Sequence, residues 1–319
     1  MSISQIKTNK KTQNSKALHS RNLHKNGYDF GALIKDYSLL APYVKINMHG
    51  NDSIDFANPS AVKTLNAALL KQYYNIVEWD IPSGALCPPI PGRVDYIHYI
   101  AELLGVSDDE KANTPPINML DIGTGASGIY SLLACQIYGW HCVGSDINAQ
   151  SLDNVASIIV NNPHLKGSLL LRKQSDSSLI FKGVIKVDEF YDVTVCNPPF
   201  HASQKEALSG SQRKASNLAR NRKDRTLTPQ VIGTSPTLNF GGQAAELWCN
   251  GGERLFLKKM IKESKIFSSQ CRWFTSLVSK AENVKPMVKL INKLGATDVK
   301  EIKMEQGNKI TRIIAWTYL

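Results

Sequence analysis

The feature that most restricts the fold of this 319-residue chain is an alternation of apolar runs and helical patterns that begins at residue 117. Each apolar run has the length of a buried strand, and the segments between the first runs place apolar residues at helical spacing. Strands that alternate with helices build a parallel sheet covered by helices. The predicted strands span residues 117–122, 141–145, 168–172, 191–196, 271–278, 297–304 and 310–318. The predicted helices of this region span residues 128–138, 149–161, 252–267 and 284–294.

The last two predicted strands differ from the others because no helix separates them. Gly307-Asn308 lies between them and favours a tight hairpin, which makes these strands antiparallel. The sequence therefore predicts an α/β fold with a seven-stranded, mostly parallel sheet that ends in an antiparallel hairpin. We expect this domain to span residues 111–319, after a small N-terminal helical subdomain at 27–110 and a disordered tail at 1–26.

The net charge of +11 is concentrated in two segments, and the rest of the chain is neutral overall. Residues 1–26 carry six basic and no acidic residues, and the predicted loop insertion at 201–242 carries seven basic and two acidic residues. A neutral domain with two basic appendages indicates a polyanionic partner such as RNA, although a solvated tail and loop would have the same composition. The candidate RNA-binding residues are Lys10, Lys11, Arg21, Lys25, Arg213, Lys214, Arg220 and Arg222.

Composition also argues against several classes of protein. No apolar run approaches the roughly 18 residues of a membrane-spanning helix, and the basic first residues lack the apolar centre of a signal peptide. The six cysteines form no Cys-x-x-Cys pair, so we expect buried thiols, with no disulfide and no metal site. The expected location is the cytoplasm, with no membrane partner.

The turn after the first predicted strand carries the sequence Asp121-Ile-Gly-Thr-Gly-Ala-Ser-Gly128. Its glycines match the dinucleotide-binding pattern, but Asp121 argues against a pyrophosphate because a carboxylate repels that anion. A cofactor that carries a sulfonium and an ammonium group gains from an acid at this place. The motif therefore favours S-adenosylmethionine over a nicotinamide dinucleotide, with Gly123 and Gly125 allowing close approach of the backbone.

Asp146 ends the second predicted strand, where a carboxylate can accept hydrogen bonds from both hydroxyls of a ribose. This residue indicates a nucleoside cofactor without identifying it. The alternative interpretation is that Asp146 or Asn148 caps the following helix.

The turn Asn197-Pro198-Pro199-Phe200 follows the fourth predicted strand, at the end where open α/β sheets bind ligands. Two prolines also make a simple turn signal. The amino group of a nucleobase is a poor nucleophile because its lone pair is delocalised into the ring. The Asn197 side-chain oxygen and the Pro198 carbonyl can accept its two hydrogens, and Phe200 can stack on the base. Positioning of this kind needs no strong general base. The three residues are the candidate catalytic group.

Together these motifs and their order are typical of class I, Rossmann-like S-adenosylmethionine-dependent methyltransferases. Longer segments resemble one family within that class, the bacterial ribosomal large-subunit RNA adenine-N(6) methyltransferase F family. The resemblance runs from about residue 18 to the C-terminus. The segments that carry it are residues 18–22, 55–59, 79–82, 87–89, 91–98, 239–243, 246–249, 273–279 and 314–317.

The resemblance implies one adenine of 23S ribosomal RNA as the target, with the RNA or a large-subunit precursor particle as the partner of a monomeric enzyme. It implies that Arg93 reaches the methionine carboxylate of the cofactor, where the alternative is a surface arginine at a helix start. Gln174 or Asp176 is the candidate contact to the cofactor adenine. Ala126-Ser127-Gly128 and the long insertion at 209–237 depart from the family pattern. The resemblance also assigns Asp121, Gly123, Asp146 and Asn197 to the cofactor and reaction site.

The residues alone leave two other functions possible. Asn-Pro-Pro turns also serve guanine-N(2) and glutamine-amide methyltransferases, although the glutamine enzymes usually carry Tyr where this chain has Phe200, and the basic segments favour nucleic acid. A ribosome-assembly or RNA-binding factor on an inactive methyltransferase fold has no chemical need for Asp121, Asp146 and Asn197 together. Binding of S-adenosylmethionine separates that possibility from an enzyme.

Overall fold

A seven-stranded sheet forms the centre of the molecule. The computed structural model describes residues 18–106, 116–199, 249–306 and 309–319, without the side chains of residues 305, 306 and 309. The strands of the sheet are β3 (Asn118–Ile122), β4 (His141–Asp146), β5 (Leu169–Lys173), β6 (Tyr191–Cys196), β7 (Cys271–Val278), β8 (Asp298–Gln306) and β9 (Lys309–Thr317). Their order is β5-β4-β3-β6-β7-β9-β8; β9 pairs antiparallel with both β7 and β8, and the other neighbouring strands pair parallel. The predicted α/β sheet with a terminal antiparallel hairpin is confirmed, although residues 307–308 of its turn lie outside the described residues.

The strand register places the turns after β3, β4 and β6 at the same edge of the sheet. Ile122 at the end of β3 pairs with Ser145 of β4 on one side and with Cys196 of β6 on the other. The next residues along the chain are Gly123, Asp146 and Asn197, so the three motifs that the sequence singled out begin at the same edge of the sheet. In an open parallel sheet this carboxyl edge is where ligands bind.

Helices cover both faces of the sheet. The helices are α1 (Phe30–Asp36), α2 (Pro59–Tyr74), α3 (Ile90–Leu103), α4 (Ile129–Tyr138), α5 (Ala149–Asn161), α6 (Gly252–Ser264) and α7 (Ala281–Lys293). One apolar core joins α1 to α5 with one face, and a second core joins α6 and α7 with the other. Trp273 and Phe274, neighbours on β7, belong to different cores. Because helices cover both faces of the sheet, apolar side chains are favoured on both sides of a strand. This explains the continuous apolar runs in the sequence.

The start of α4 packs very closely on α5. Gly128 has φ +59°, and a Cβ atom built there would lie 2.9 Å from a methyl carbon of Val155. Any side chain would therefore clash with α5 and strain the backbone. This contact explains the third glycine of the motif, and it requires no ligand.

Residues 18–26 differ from the disordered tail that the sequence predicted for residues 1–26. The His19 amide donates to Asp95 Oδ1 at 3.1 Å, and the Asn22 side chain donates to the same carboxylate and to the Pro91 carbonyl. Asp95 lies on α3 and is fully buried. Polar residues here satisfy a buried carboxylate, a role that composition does not reveal. Residues 1–17 lie outside the described residues.

The N-terminal part also contains a short hairpin that the sequence pattern did not indicate. Strands β1 (Val44–Ile46) and β2 (Asp52–Ile54) pair antiparallel; β1 is mostly exposed, and β2 buries Ile54. Strands of three residues are too short for apolar alternation to be recognised. No helix among the described residues is long and apolar enough to cross a membrane. In the same part of the chain no cluster of three potential metal-ligating side chains occurs.

Candidate active site

A cleft of about 620 Å³ opens at the carboxyl edge of the sheet. The turns after β3, β4 and β6, the loop after β5, and the first turns of α3, α4 and α6 all contribute to its lining. Among the predicted site residues, the cleft lining includes Arg93, Gly123, Gly125, Asp146, Gln174 and Asn197. The fold thus brings together residues that are up to 104 positions apart in the chain, from 93 to 197.

The turn between β3 and α4 is fixed by its own backbone. The amides of Gly123 and Thr124 both donate to the Ser145 carbonyl at 2.9 Å. Gly123 and Gly125 have φ of +73° and +63°, which few residues other than glycine adopt without strain. The glycines therefore provide a tight turn whose backbone forms part of the cleft surface.

Asp121 lies beneath this turn and has no exposed surface. Its Oδ2 accepts hydrogen bonds from Thr124 Oγ1 at 2.9 Å and Ser131 Oγ at 3.0 Å, and its Oδ1 has no partner among the described residues. Burial raises the pKa of Asp121 to about 6, although the bonds from Thr124 and Ser131 lower it. The carboxylate does not line the cleft itself. It places a negative charge directly under the turn, where a cation in the cleft would stabilise its ionised form.

Asp146 lines the cleft and is half-buried. Its Oδ2 accepts the Gly125 amide at 2.9 Å, and its Oδ1 accepts the Asn148 amide at 2.8 Å. A carboxylate oxygen can accept more than one hydrogen bond, so a ribose hydroxyl can also donate to Asp146. The alternative role as a helix cap belongs to Asn148, whose side chain accepts the Gln150 amide at the start of α5. Ile147 between them is 45% exposed, which leaves an apolar surface beside the carboxylate.

Gln174 and Asp176 lie in very different environments. Gln174 is buried, lines the cleft, and donates from Nε2 to the Lys182 carbonyl at 2.9 Å while its Oε1 accepts the Asp176 amide. The Asp176 side chain is exposed, does not line the cleft, and accepts the Ser178 amide at 2.7 Å. The structure therefore does not support Asp176 as a cofactor contact. Gln174 shapes the loop after β5, and residues 177–180 of that loop line the cleft.

Arg93 lies in the first turn of α3 and is half-buried at the cleft, not on the open surface. Its Nη1 donates to the Tyr130 hydroxyl, and its guanidinium carbon is 5.4 Å from the centre of the Tyr130 ring. Its Nε is buried without a partner among the described residues. An arginine in this state provides a positive charge and a free donor for a carboxylate in the cleft.

The turn after β6 provides an open acceptor. Asn197 and Pro199 line the cleft, and Pro198 is buried. Asn197 Oδ1 is buried and has no hydrogen-bond partner within the described ranges. Leaving such an oxygen unpaired costs about 1–3 kcal/mol, so it indicates a ligand that donates to it. Phe200, the third candidate catalytic residue, lies outside the described residues.

Among the described residues, buried polar atoms without a hydrogen-bond partner are concentrated at this cleft. In the part of the chain that the structure describes, five buried side-chain atoms lack a hydrogen-bond partner. Three of them belong to Arg93, Asp121 and Asn197, which lie at the cleft or directly under it. They offer one donor for an anion and two acceptors for cationic or amino donors. This set matches the carboxylate, the positive charge and the acceptor amino group of a methyl transfer to a nucleobase.

The predicted RNA-binding residues are only partly described. Arg21 donates to the Val106 carbonyl at 3.2 Å and to the Tyr138 hydroxyl at 3.1 Å, and its side chain is 16% exposed. It holds residues 18–26 to the core, so it differs from the exposed RNA contact that we predicted. Lys25 is exposed and donates to the Ser20 carbonyl at 2.9 Å. The predictions for Lys10, Lys11, Arg213, Lys214, Arg220 and Arg222 lie outside the described residues.

Sequence reasoning missed residues that support the site from elsewhere in the fold. Tyr130 lines the cleft and binds Arg93, and the Trp79 indole donates to the Ser127 carbonyl at 3.1 Å. Asn154 donates to the Ala126 carbonyl at 2.7 Å. Trp79 lies in a segment that carries the family resemblance, but no local pattern gives the role of any of the three, because each acts on a segment far from it in sequence.

The strand order, the glycine turn over a buried acid and the acid after β4 define a class of protein. They are the fold and cofactor cleft of a Rossmann-like, S-adenosylmethionine-dependent methyltransferase. The orphaned atoms of Arg93, Asp121 and Asn197 fit that cofactor and an amino acceptor better than a pyrophosphate, which would meet two carboxylates.

Comparison with known proteins identifies the family. A family model described as RNA methyltransferase matches residues 12–319. "Ribosomal RNA large subunit methyltransferase F" of Saccharophagus degradans is 59% identical over 318 residues, which cover 97% of this chain and 98% of the relative. The protein of the same name from Shewanella baltica strain OS155 is 57% identical over 303 residues, covering 95% and 81%. The chain belongs to this family of RNA methyltransferases.

Solved structures agree with this assignment. The hMettl16 catalytic domain in complex with MAT2A 3'UTR hairpin 1 has a TM-score of 0.76 and 26% identity, covering 95% of this chain and 96% of that one. The N-terminal domain of human METTL16 in complex with SAH has a TM-score of 0.73 at 24% identity, covering 95% and 99%, and it shares the fold. The prediction of an S-adenosylmethionine-dependent RNA methyltransferase is confirmed.

Proposed function

We propose that this enzyme transfers a methyl group from S-adenosylmethionine to the exocyclic N(6) of one adenine in 23S ribosomal RNA. The names of the relatives, which are 57–59% identical over nearly the whole chain, support a large-subunit ribosomal RNA as the substrate. The family resemblance of the sequence supports adenine N(6) as the acceptor.

The observation that carries the proposal is Asn197 Oδ1 at the carboxyl end of β6, which is buried and has no hydrogen-bond partner in the part of the chain that the structure describes. A buried amide oxygen accepts hydrogen bonds and cannot act as a base at neutral pH. Such an oxygen can hold one hydrogen of an amino group, with the Pro198 carbonyl as the proposed acceptor of the other. This arrangement turns the nitrogen lone pair out of conjugation with the ring. Catalysis then consists of positioning, and the extra proton leaves after transfer.

The remaining residues have proposed roles in cofactor binding. When bound, S-adenosylmethionine supplies an electrophilic methyl group on a sulfonium centre. Arg93 would hold the methionine carboxylate, since its Nε is buried without a partner and its charge lies at the cleft. Asp121 would favour the positive end through its charge beneath the glycine turn, and Asp146 would accept from the ribose hydroxyls. Ile147 and residues 177–180 would enclose the adenine.

RNA binding is proposed for residues 1–17 of the basic tail, for the exposed Lys25 and for the basic segment 201–242. Their net charge favours phosphate contacts, whose strength falls steeply with salt. The target adenine must leave its base stack to reach a cleft, so a loop or a partly assembled particle suits the enzyme better than a plain duplex. A 23S precursor particle as partner, a monomeric state and a cytoplasmic location are part of the same proposal.

The test uses purified full-length protein, methyl-labelled S-adenosylmethionine and ribosomal RNA from cells that lack this enzyme. RNA is supplied both deproteinised and as large-subunit particles, then digested to nucleosides. We expect label in N(6)-methyladenosine, at one position of 23S RNA. Asn197→Ala serves as the inactive control, and its cofactor affinity is measured in parallel by calorimetry.

Other outcomes would change the proposal in defined ways. Label in N(2)-methylguanosine would keep the acceptor geometry and overturn the adenine assignment. Binding of S-adenosylmethionine without label in either RNA preparation would contradict the proposed substrate and favour an assembly factor.

A further inference from the structure

Tyr96 connects the N-terminal helices to the turn that carries Asn197. It lies on α3, three residues after Arg93, and has no exposed surface. Its hydroxyl lies 3.3 Å from the Cys196 amide and 2.8 Å from Thr275 Oγ1. It therefore touches the backbone of the residue immediately before Asn197, across 100 positions of sequence.

The direction of each hydrogen bond in this group follows from counting hydrogens. Thr275 Oγ1 donates its one hydrogen to the Thr194 carbonyl at 2.7 Å. It can therefore only accept from Tyr96, whose hydroxyl hydrogen is used in that bond. The Tyr96 oxygen then accepts the Cys196 amide. A continuous chain of bonds runs from the Cys196 amide through Tyr96 and Thr275 back to the Thr194 carbonyl.

This chain of bonds lies where the sheet stops supporting β6. Pairing of β6 with β3 continues to Cys196, whereas its pairing with β7 ends at Thr194. The last two residues before the turn thus lack a strand partner on the β7 side. Tyr96 supplies a partner there, and it is buried on all sides, so its own position is fixed by packing.

The same helix also holds the proposed cofactor side of the cleft. Arg93 binds the Tyr130 hydroxyl, and the rings of Tyr96 and Tyr130 meet edge to face with centres 5.2 Å apart. Two residues one helical turn apart on α3 therefore reach the two halves of the site. A shift of α3 would move the Arg93 charge and the Cys196 backbone together.

We propose that Tyr96 is a positioning residue for methyl transfer: its hydroxyl fixes the Cys196 backbone and, through it, the place of Asn197 Oδ1. Tyr96 does not line the cleft, and this role rests on the function proposed above for Asn197. A misplacement of about 1 Å in a reacting geometry can reduce the rate roughly 100-fold. Tyr96 should therefore control turnover without controlling cofactor affinity.

The test compares hydroxyl-deleting variants by kcat, by KM for RNA and by the dissociation constant for S-adenosylmethionine. Tyr96→Phe should lower kcat about tenfold or more, with both binding constants within about twofold of wild type. Thr275→Val should do the same because it removes the acceptor of Tyr96, whereas Thr275→Ser should restore turnover. The double variant should be no slower than the slower single variant, because both changes break one chain of bonds.

Tyr74→Phe is the matched control. The Tyr74 hydroxyl is also buried and lies 2.8 Å from His24 Nε2, but it contacts neither the Asn197 turn nor the cleft. It should lose a comparable free energy of unfolding and keep wild-type kcat.

Wild-type kcat in folded Tyr96→Phe would overturn the proposal, and so would equal losses of kcat in the Tyr96 and Tyr74 variants. If Tyr96→Phe fails to fold, the Thr275→Val and Thr275→Ser pair decides, and equal turnover of these two variants would overturn the proposal. Because turnover is followed on whichever nucleoside the wild type labels, an incorrect substrate would appear in the wild type alone and would not be confused with a failed role for Tyr96.

Discussion

The loop after β5 and the turn after β6 line the same cleft, but their polar groups are satisfied in opposite ways. In the loop, Gln174 donates to the Lys182 carbonyl, and Glu263 accepts the amides of residues 180–182 at 2.7 to 3.0 Å. At the turn, the Tyr96 hydroxyl accepts the Cys196 amide, and Asn197 Oδ1 is left without a partner in the described structure. The internal hydrogen bonds of the loop fix its conformation, whereas the turn leaves an acceptor available to a donor from a ligand.

The comparison separates binding from chemistry within one site. A loop whose hydrogen bonds are internally complete can offer a fixed surface for a nucleoside, and its contribution should be affinity. A turn with an open acceptor costs stability in the free enzyme and gains a partner only when substrate binds. Its contribution should be turnover. Each prediction below tests one side of this difference.

The largest effect is expected from removing the open acceptor. Asn197→Ala should lower kcat by roughly 10³-fold, comparable to the loss of an oxyanion-hole donor, and should leave the cofactor dissociation constant within about threefold. Asn118→Ala, an exposed residue at the opposite end of β3, is the control and should keep full turnover. Single-turnover kinetics with RNA and calorimetry with cofactor provide the measurements. A variant with wild-type turnover would remove the chemical role from the turn.

Asp121 combines both situations in one carboxylate, because its Oδ2 accepts two hydrogen bonds and its Oδ1 has no partner among the described residues. Its folded pKa of about 6 lies above the value of an unfolded aspartate, 3.8. The folded state therefore binds more protons between these values, and cofactor-free stability should fall as pH rises from about 4 to 6. The loss should total about 2–3 kcal/mol and remain at higher pH.

Denaturant unfolding of wild type and Asp121→Asn across pH 4–8 measures this effect. The difference between the two proteins should show the slope, because asparagine does not titrate. A pH-independent difference would contradict the raised pKa. Added S-adenosylmethionine should reduce the slope, since a cation above the turn favours the ionised carboxylate.

Arg93 should belong to the binding side of the comparison although it shares α3 with Tyr96. Arg93→Met should raise the cofactor dissociation constant about tenfold, since bonds to charged groups contribute about 1.5–3 kcal/mol. At saturating cofactor, kcat should recover. Arg172→Met is the control: Arg172 is also largely buried, but it pairs with Glu189 away from the cleft. Equal affinities in these two variants would place the cofactor carboxylate elsewhere.

The smallest effect is expected from weakening the loop after β5. Glu263→Gln replaces a charged acceptor of three amides with a neutral one, and we expect about threefold weaker cofactor binding with unchanged kcat. Glu189→Gln likewise replaces a charged acceptor with a neutral one, at the pair with Arg172 outside the cleft, and should leave affinity unchanged. A fall in kcat in Glu263→Gln would mean that the loop and the turn are not separate in function.

The parts of the site that could be read from the sequence are those built within one turn. Asp121-Ile-Gly-Thr-Gly, Asp146 and Asn197-Pro198-Pro199 each follow a predicted strand, and parallel strands bring their carboxyl ends to one edge. The choice between Asp146 and Asn148 as helix cap, and between Gln174 and Asp176 at the cleft, could not be made in this way. Within each pair, the two residues differ in the backbone groups that their side chains bind, and the sequence does not show those partners.

The sequence alone determined the class of fold, the cofactor and the candidate catalytic turn, because strand periodicity and turn chemistry are local properties of a few residues. Only the tertiary structure decided that Arg93 lines the cleft, that Arg21 and Asn22 fasten residues 18–26 to α4 and α3, and that Tyr96 binds the backbone before the Asn197 turn. The hydrogen bonds of Asn22, Tyr96 and Arg21 join residues 69, 100 and 117 positions apart. Such contacts form where helices pack on the sheet, so no pattern within one short segment of the sequence predicts them.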